Sequence, residues 1–143
     1  MFRKDYIMRM IEDFVRAMVR IVLLKDTKQL TDAGKELDTL SHQVTGFGTG
    51  HLKSLGAAGI KYVFSQNKES EAEKIFCAAK IIKEDAMIQN LQGKTDESLQ
   101  GIEISRELFK IVSQMDFPEK DEAIKEFEEL NNMSFNSVNW RLI

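Results

Sequence analysis

The chain has 143 residues, of which 43% are hydrophobic and 30% are charged, and its formal net charge is −3. This length suits one domain with its own core and is short for two. The composition lies well outside the range of disordered proteins. Because the charge balance is acidic, a broad electrostatic grip on phosphate backbones is not expected, and we expect no nucleic acid partner.

The sequence gives no sign of export or of a membrane span. The apolar segment at residues 14–24 is interrupted by Arg16 and Arg20, so it does not form a secretory signal. No stretch approaches the roughly 20 uncharged residues that cross a bilayer. The single cysteine, Cys77, excludes a disulfide within the chain, and its apolar neighbours are typical of a buried thiol. We therefore expect a cytoplasmic protein.

The first predicted helix, about residues 4–24, carries more apolar surface than one neighbouring helix covers. Two adjacent stripes follow helical spacing. The first stripe is Ile7, Ile11, Phe14, Met18 and Ile21, and the second stripe is Met8, Val15, Val19 and Val22. A narrow polar strip opposite them holds Arg9, Asp13, Arg16 and Arg20. Such a helix is central to a bundle, lies at a subunit interface or rests on a membrane.

Five further helices are predicted, at about residues 27–44, 52–65, 69–91 and 95–115, and after Pro118. Their apolar positions recur at steps of three and four. The expected buried side of the third helix is Leu55, Ala58, Tyr62 and Val63, and that of the fourth is Ala72, Ile75, Phe76, Ala79, Ile82, Ala86 and Leu91. Three glycines between residues 46 and 50 predict a turn. A phosphate-binding loop would need a preceding strand and a Gly-Lys-Ser/Thr ending, and this segment has neither.

These patterns predict an all-α, single-domain antiparallel array of five or six helices over residues 1–130. Residues 131–143 mix turn formers with Met133, Phe135 and Trp140. We expect this C-terminal segment to be partly ordered or to dock on the bundle.

Small residues near the middle of the chain resemble the tetratricopeptide helix pair. Ala86, Gly93, Ser98 and Ser105 have spacings that let paired helices pack closely, over one unit of about 34 residues. An ordinary antiparallel helix pair explains the same pattern equally well.

The opening Met-Phe-x-x-Asp-Tyr-Ile-Met-Arg-Met-Ile-Glu-Asp-Phe-Val-Arg resembles the N-terminus of an uncharacterised family of small bacterial proteins, common in Firmicutes and built of tetratricopeptide-like helices. The turn at residues 93–99 resembles that family more loosely, and residues 46–65 depart from it. The resemblance implies a helical fold and the bacterial cytoplasm, and it brings no activity or site residue.

Candidate catalytic and metal-binding residues are sparse. Of the two histidines, only His42 lies one helical turn from a carboxylate, Asp38, and a zinc site needs more ligands. The acidic residues at 69–73 and 84–85 lack the Glu-x-x-His pattern of di-iron bundles. Those at 119–129 alternate with lysines, as on a solvated helix face. We expect no enzyme activity, no cofactor and no metal.

The second stripe of the first helix is the main functional hypothesis. We expect a non-enzymatic interaction or scaffold module that binds a protein or peptide partner, and a homodimer through the first helix. The candidate interface is Met8, Val15, Val19 and Val22, although the C-terminal segment with Phe135 and Trp140 is another occupant for this surface. The alternative is a peripheral membrane protein that lays the first helix in the lipid interface. Six basic and four acidic residues within positions 1–26 give that helix a formal charge of +2.

Overall fold

A computed structural model describes residues 3–135. They form six helices, α1 (Asp5–Asp26), α2 (Leu30–Thr45), α3 (Thr49–Phe64), α4 (Glu71–Leu91), α5 (Thr95–Val112) and α6 (Lys120–Phe135). The described residues contain no strand. The predicted all-α, single-domain fold is confirmed.

Helix α4 occupies the centre of the domain. Its apolar residues point in almost every direction around the helix axis, and Ile75, Ile81, Ile82 and Ile88 are all buried. The helix packs against α1, α2, α3 and α5. A helix that is apolar on all sides is stable only when its neighbours surround it. The central position considered for the first helix therefore belongs to α4. Leu91, which we predicted to be buried, is exposed because it lies in the last turn of α4.

Small residues bring α4 and α5 close together. Ser98 Oγ donates a hydrogen bond of 2.7 Å to the Ala86 carbonyl, and Ser105 Oγ donates one of 2.8 Å to the Ala79 carbonyl. A Cβ atom at Gly101 would lie 3.1 Å from the Cβ of Ala86. The close packing predicted from residue spacing is confirmed, whereas the tetratricopeptide likeness stays a prediction.

The glycine run between α2 and α3 forms a structural turn, as predicted. Gly46 ends α2 in the left-handed conformation, with φ of 84°. The Thr49 backbone N–H, at the start of α3, donates to Asp38 Oδ1 at 2.9 Å. A Cβ atom at Gly48 would lie only 2.8 Å from that same oxygen, so a larger residue there would push the carboxylate away from the helix end.

The predicted buried side of α3 is wrong at two positions, because Ala58 and Tyr62 are exposed. The residues that fill the core are Leu52, Ile60 and Phe64. Gly56 has φ of 69° and ψ of 172°, which kinks the helix. A single helical period therefore does not run through α3. The helix also begins at Thr49, three residues before the predicted start.

Helix α6 continues past position 130 to Phe135. Leu130 is buried, and Met133 packs against the core, so this apolar spacing extends the helix through Asn131 and Asn132. Residues 136–143, which include Trp140, lie outside the described residues.

Candidate interaction surface

The two stripes predicted on α1 have different environments. Every residue of the first stripe is buried, as predicted. In the second stripe, Met8, Val15 and Val19 are 42%, 53% and 65% exposed, and Val22 is partly buried. Leu23, one turn after Val19, is also exposed. The second stripe is therefore a solvent-facing apolar strip, the kind of surface that marks interaction sites when its residues are contiguous.

A groove beside this strip separates α1 from α6. Its lining includes Val15, Val19 and Val22 of α1, Lys80 and Lys83 of α4, and Glu126 of α6, and it has a volume of about 380 Å³. We call it the α1–α6 groove. Lys83 Nζ donates to Glu126 Oε1 at 2.6 Å, and Lys80 pairs with Glu122 of α6. The groove thus has one apolar wall on α1 and a floor whose lysines are neutralised by α6.

Ion pairs hold α1 at both of its ends. Ahead of the helix, Arg3 donates to both carboxylate oxygens of Glu119, at 2.5 and 3.1 Å, and lies 3.5 Å from Glu73. Near its C-terminal end, Lys25 Nζ lies 2.6 Å from Glu84 Oε2, with only 10% and 8% of the two side chains exposed. Planar, two-pronged contacts such as Arg3–Glu119 fix geometry as well as charge. The second stripe is therefore presented on a helix that is anchored at both ends.

The polar strip of α1 forms ion pairs of its own. Arg16 pairs with Asp13 on the same helix, and Arg20 Nη2 lies 2.9 Å from Glu36 Oε1 of α2. Much of the positive charge on this side of α1 is therefore balanced within the protein.

A polar cluster lies between α3 and α4. Lys53 Nζ donates to Gln89 Oε1 at 3.0 Å and lies 3.5 Å from Asp85 Oδ2. Burial raises the pKa of the Asp85 carboxyl above its ordinary value, and the nearby Lys53 ammonium opposes that rise. Because Lys53 and Gln89 are hydrogen-bonded to each other, this cluster is a polar contact between α3 and α4.

The candidate chemical groups are separate from one another. His42 Nε2 lies 3.8 Å from Asp38 Oδ2, but Asp38 also accepts the Thr49 hydrogen bond at the start of α3. Among residues 3–135, no three His, Cys, Asp or Glu side chains gather as metal ligands would. Cys77 is fully buried, as predicted, and burial raises the pKa of its thiol far above the ordinary value. A thiol in that state is a poor nucleophile.

The sequence predicted the second stripe on α1 but not Leu23 or the groove residues of α4 and α6. Leu23 continues the apolar strip at a four-residue step from Val19, and that spacing was a usable signal. The groove residues of α4 and α6 are joined by ion pairs across 43 positions of sequence, as in Lys83–Glu126, so local spacing carries no signal for them.

None of the described helices is long and apolar enough to cross a membrane. No curated protein and no solved structure matches the chain. A family model described as a family of unknown function, DUF6483, matches residues 1–126. The match covers α1 to α5 and the first part of α6, and thus includes the whole second stripe and the described lining of the groove. The chain belongs to this family of unknown function.

Proposed function

We propose that this protein is a non-enzymatic interaction module that forms a homodimer through the second stripe of α1. The observation that carries the proposal is the exposure of Met8, Val15 and Val19 on an anchored helix. Leaving these side chains in water forgoes about 25 cal/mol for each Å² of apolar area that a partner would cover. Association through this strip therefore has a hydrophobic driving force.

The shape of the strip suits a second copy of α1. From Met8 to Leu23 it extends about 22 Å along the helix, at about 1.5 Å per residue. Two such helices crossing in antiparallel orientation about a two-fold axis would bring the valines of both copies together at the centre. A two-fold contact of this kind uses the same patch on each subunit, so one strip supplies both sides of the interface.

We propose no reaction for this protein. Its single thiol, Cys77, is buried and protonated, and the His42–Asp38 pair belongs to the α2–α3 turn. We also propose that the protein acts in the cytoplasm.

Light scattering coupled to size-exclusion chromatography tests the proposal. The wild-type mass should rise from 16.4 kDa towards twice that value as concentration increases. Val15→Asp and Val19→Asp should remain monomeric and folded, because each places a charge in the apolar contact. Tyr62→Asp is the matched control, since Tyr62 is 71% exposed on α3 and lies outside the strip.

Two results would contradict the homodimer. A wild-type mass that stays at the monomer value at every accessible concentration removes self-association. A dimer that survives both valine substitutions puts the interface elsewhere. Loss of helical circular dichroism in both variants would instead assign the second stripe to the core.

The second candidate function is a membrane-surface protein, favoured by exposed Tyr6 and by Arg9 beside the apolar strip. Aromatic and basic residues flanking an apolar helix face are typical of interfacial helices. The pairing of Arg16 and Arg20 with acidic side chains weakens this candidate. Co-sedimentation with vesicles containing anionic lipid separates the two functions. If the wild-type protein is monomeric and binds the vesicles, and Val19→Asp abolishes that binding, the membrane-surface function is favoured.

A further inference from the structure

The second stripe of α1 has one gap in its spacing. Val15, Val19 and Val22 follow one another at steps of four and three, whereas Met8 lies seven residues before Val15. The residue that completes the series is Glu12, four positions after Met8 and three before Val15. Alternating steps of three and four form the seam along which two helices pack side by side. We call Met8, Glu12, Val15, Val19 and Val22 the α1 seam.

Glu12 has no partner within the monomer that would explain a charge on this seam. Its side chain is exposed, and within the described range 3–135 it forms no hydrogen bond and no ion pair. The neighbouring acidic residue, Asp13, pairs instead with Arg16 on the polar strip. Glu12 is therefore an unpaired carboxylate on the apolar surface that forms the proposed dimer interface.

The effect of Glu12 on a pair of α1 helices depends on their relative direction. In an antiparallel pair centred on Val15 and Val19, Glu12 lies level with the second copy's Val22. Positions 12 and 22 are ten residues apart, so the two Glu12 residues are about 15 Å apart along the pair, at about 1.5 Å per residue. In a parallel pair the two Glu12 residues lie level with each other. The repulsion is then strong, whereas at about 15 Å salt screens it, because the screening length is about 8 Å at physiological ionic strength.

We propose that Glu12 selects the antiparallel orientation of the α1 dimer by repelling its own copy in the parallel one. This inference rests on the proposed homodimer. Asp26, the exposed last residue of α1, continues the seam four residues after Val22 and has the same effect at its end. In the antiparallel pair Asp26 lies level with the second copy's Met8. A polar residue on a seam commonly fixes the alignment of paired helices at a cost in stability, and repulsion in the wrong alignment is a general source of specificity.

Cross-linking between introduced thiols measures the orientation. Cys77 is fully buried, whereas Met8 and Leu23 are exposed, so Met8→Cys and Leu23→Cys each add one accessible thiol. Along the antiparallel pair, position 8 of one copy lies about 4.5 Å from position 23 of the other, and in a parallel pair that separation is about 22 Å. At concentrations where the wild type associates, a short bismaleimide should join Met8→Cys chains to Leu23→Cys chains in a mixture. Met8→Cys chains alone should stay uncoupled.

Removing the charge should release the selection. Glu12→Leu in the Met8→Cys chain should produce cross-links between two Met8→Cys positions, and adding Asp26→Leu should increase their yield. Light scattering should show that Glu12→Leu dimerises at a several-fold lower concentration. Asp13→Leu is the matched control, because it replaces the neighbouring acid on the polar strip, where 63% of the Asp13 side chain is exposed. It should change neither the cross-links nor the association.

Three results would overturn the inference while leaving the homodimer intact. Cross-links between Met8→Cys chains that retain Glu12 would show a parallel pair. Glu12→Leu chains that gain no such cross-links, whatever their affinity, would show that Glu12 does not select the orientation. A mixture of Met8→Cys and Leu23→Cys chains that associates without cross-linking would exclude this alignment of the seam. A wild type that stays monomeric by light scattering removes the homodimer itself, and this inference with it.

Discussion

The buried ion pair between Lys25 and Glu84 should contribute strongly to the stability of the α1 anchor. Lys25→Met removes the ammonium and keeps most of the apolar stem. Glu84 would then hold a negative charge in a position where only 8% of its side chain is exposed. Breaking a buried pair from one side typically costs about 3–5 kcal/mol. We expect a loss of about 3 kcal/mol, at the low end, because some water still reaches both groups.

Urea unfolding followed by far-ultraviolet circular dichroism measures this loss. Arg20→Met is the matched control on the same helix, since 72% of the Arg20 side chain is exposed in its pair with Glu36. Exposed pairs contribute about 0–1 kcal/mol, so the control should change the free energy of unfolding by less than 1 kcal/mol. The double variant Lys25→Met/Glu84→Leu should recover most of the loss, because it leaves no buried charge behind.

Two results would refute a strong contribution from the Lys25–Glu84 pair. A loss below about 1 kcal/mol for Lys25→Met would place the pair in an effectively aqueous environment, where exposed ion pairs have this value. A double variant as unstable as the sum of the two single variants would show that the two charges do not interact.

Two further predictions concern the α4 packing. Gly101→Leu should lower the free energy of unfolding by about 1–3 kcal/mol through overpacking, because a Cβ atom at position 101 would already lie 3.1 Å from the Ala86 Cβ. Urea unfolding measures the change, with Gln100→Leu at an exposed position as the control. Equal effects of the two substitutions would contradict close contact between α4 and α5. Glu71→Gln should destabilise the protein by about 1 kcal/mol at neutral pH, a value typical of partly exposed pairs. Burial raises the pKa of Glu71, but the Lys61 hydrogen bond of 2.5 Å and the Lys68 charge outweigh that effect and lower the pKa below its ordinary value of 4.5. The folded state therefore favours the carboxylate, and its contribution is present above the unfolded-chain pKa and is lost as pH falls through the lower folded-state pKa. Unfolding curves of wild type and Glu71→Gln should converge in acid, and a constant difference across pH would contradict this assignment.

The sequence predicted the features that depend on local spacing. The first stripe of α1 is buried because its residues recur once per turn, and the same spacing identified Ile75, Phe76, Ala79 and Ile82 as core residues of α4. The second stripe was recognised as a separate surface for the same reason. These assignments needed no knowledge of which helix lies next to which.

Other features depend on conformations and contacts that spacing does not encode. Gly56 is compatible with a regular helix or with positive φ. In the structure its φ is positive, so α3 is kinked there and Tyr62, which follows the kink, faces solvent. The groove lies between α1, which Arg3 joins to Glu119, and α6, whose Glu126 pairs with Lys83 of α4. Both contacts link distant parts of the chain, and only the folded structure brings them together.

The most direct test of the central claim is thiol cross-linking at the second stripe. Because Cys77 is fully buried, Val19→Cys introduces a single accessible thiol. At concentrations where the wild type associates, a short bismaleimide should join two Val19→Cys chains into a covalent dimer. It should leave Tyr62→Cys and the wild type as monomers. Equal and low yields from Val19→Cys and Tyr62→Cys would show that α1 does not meet a second α1, and would contradict the proposed interface.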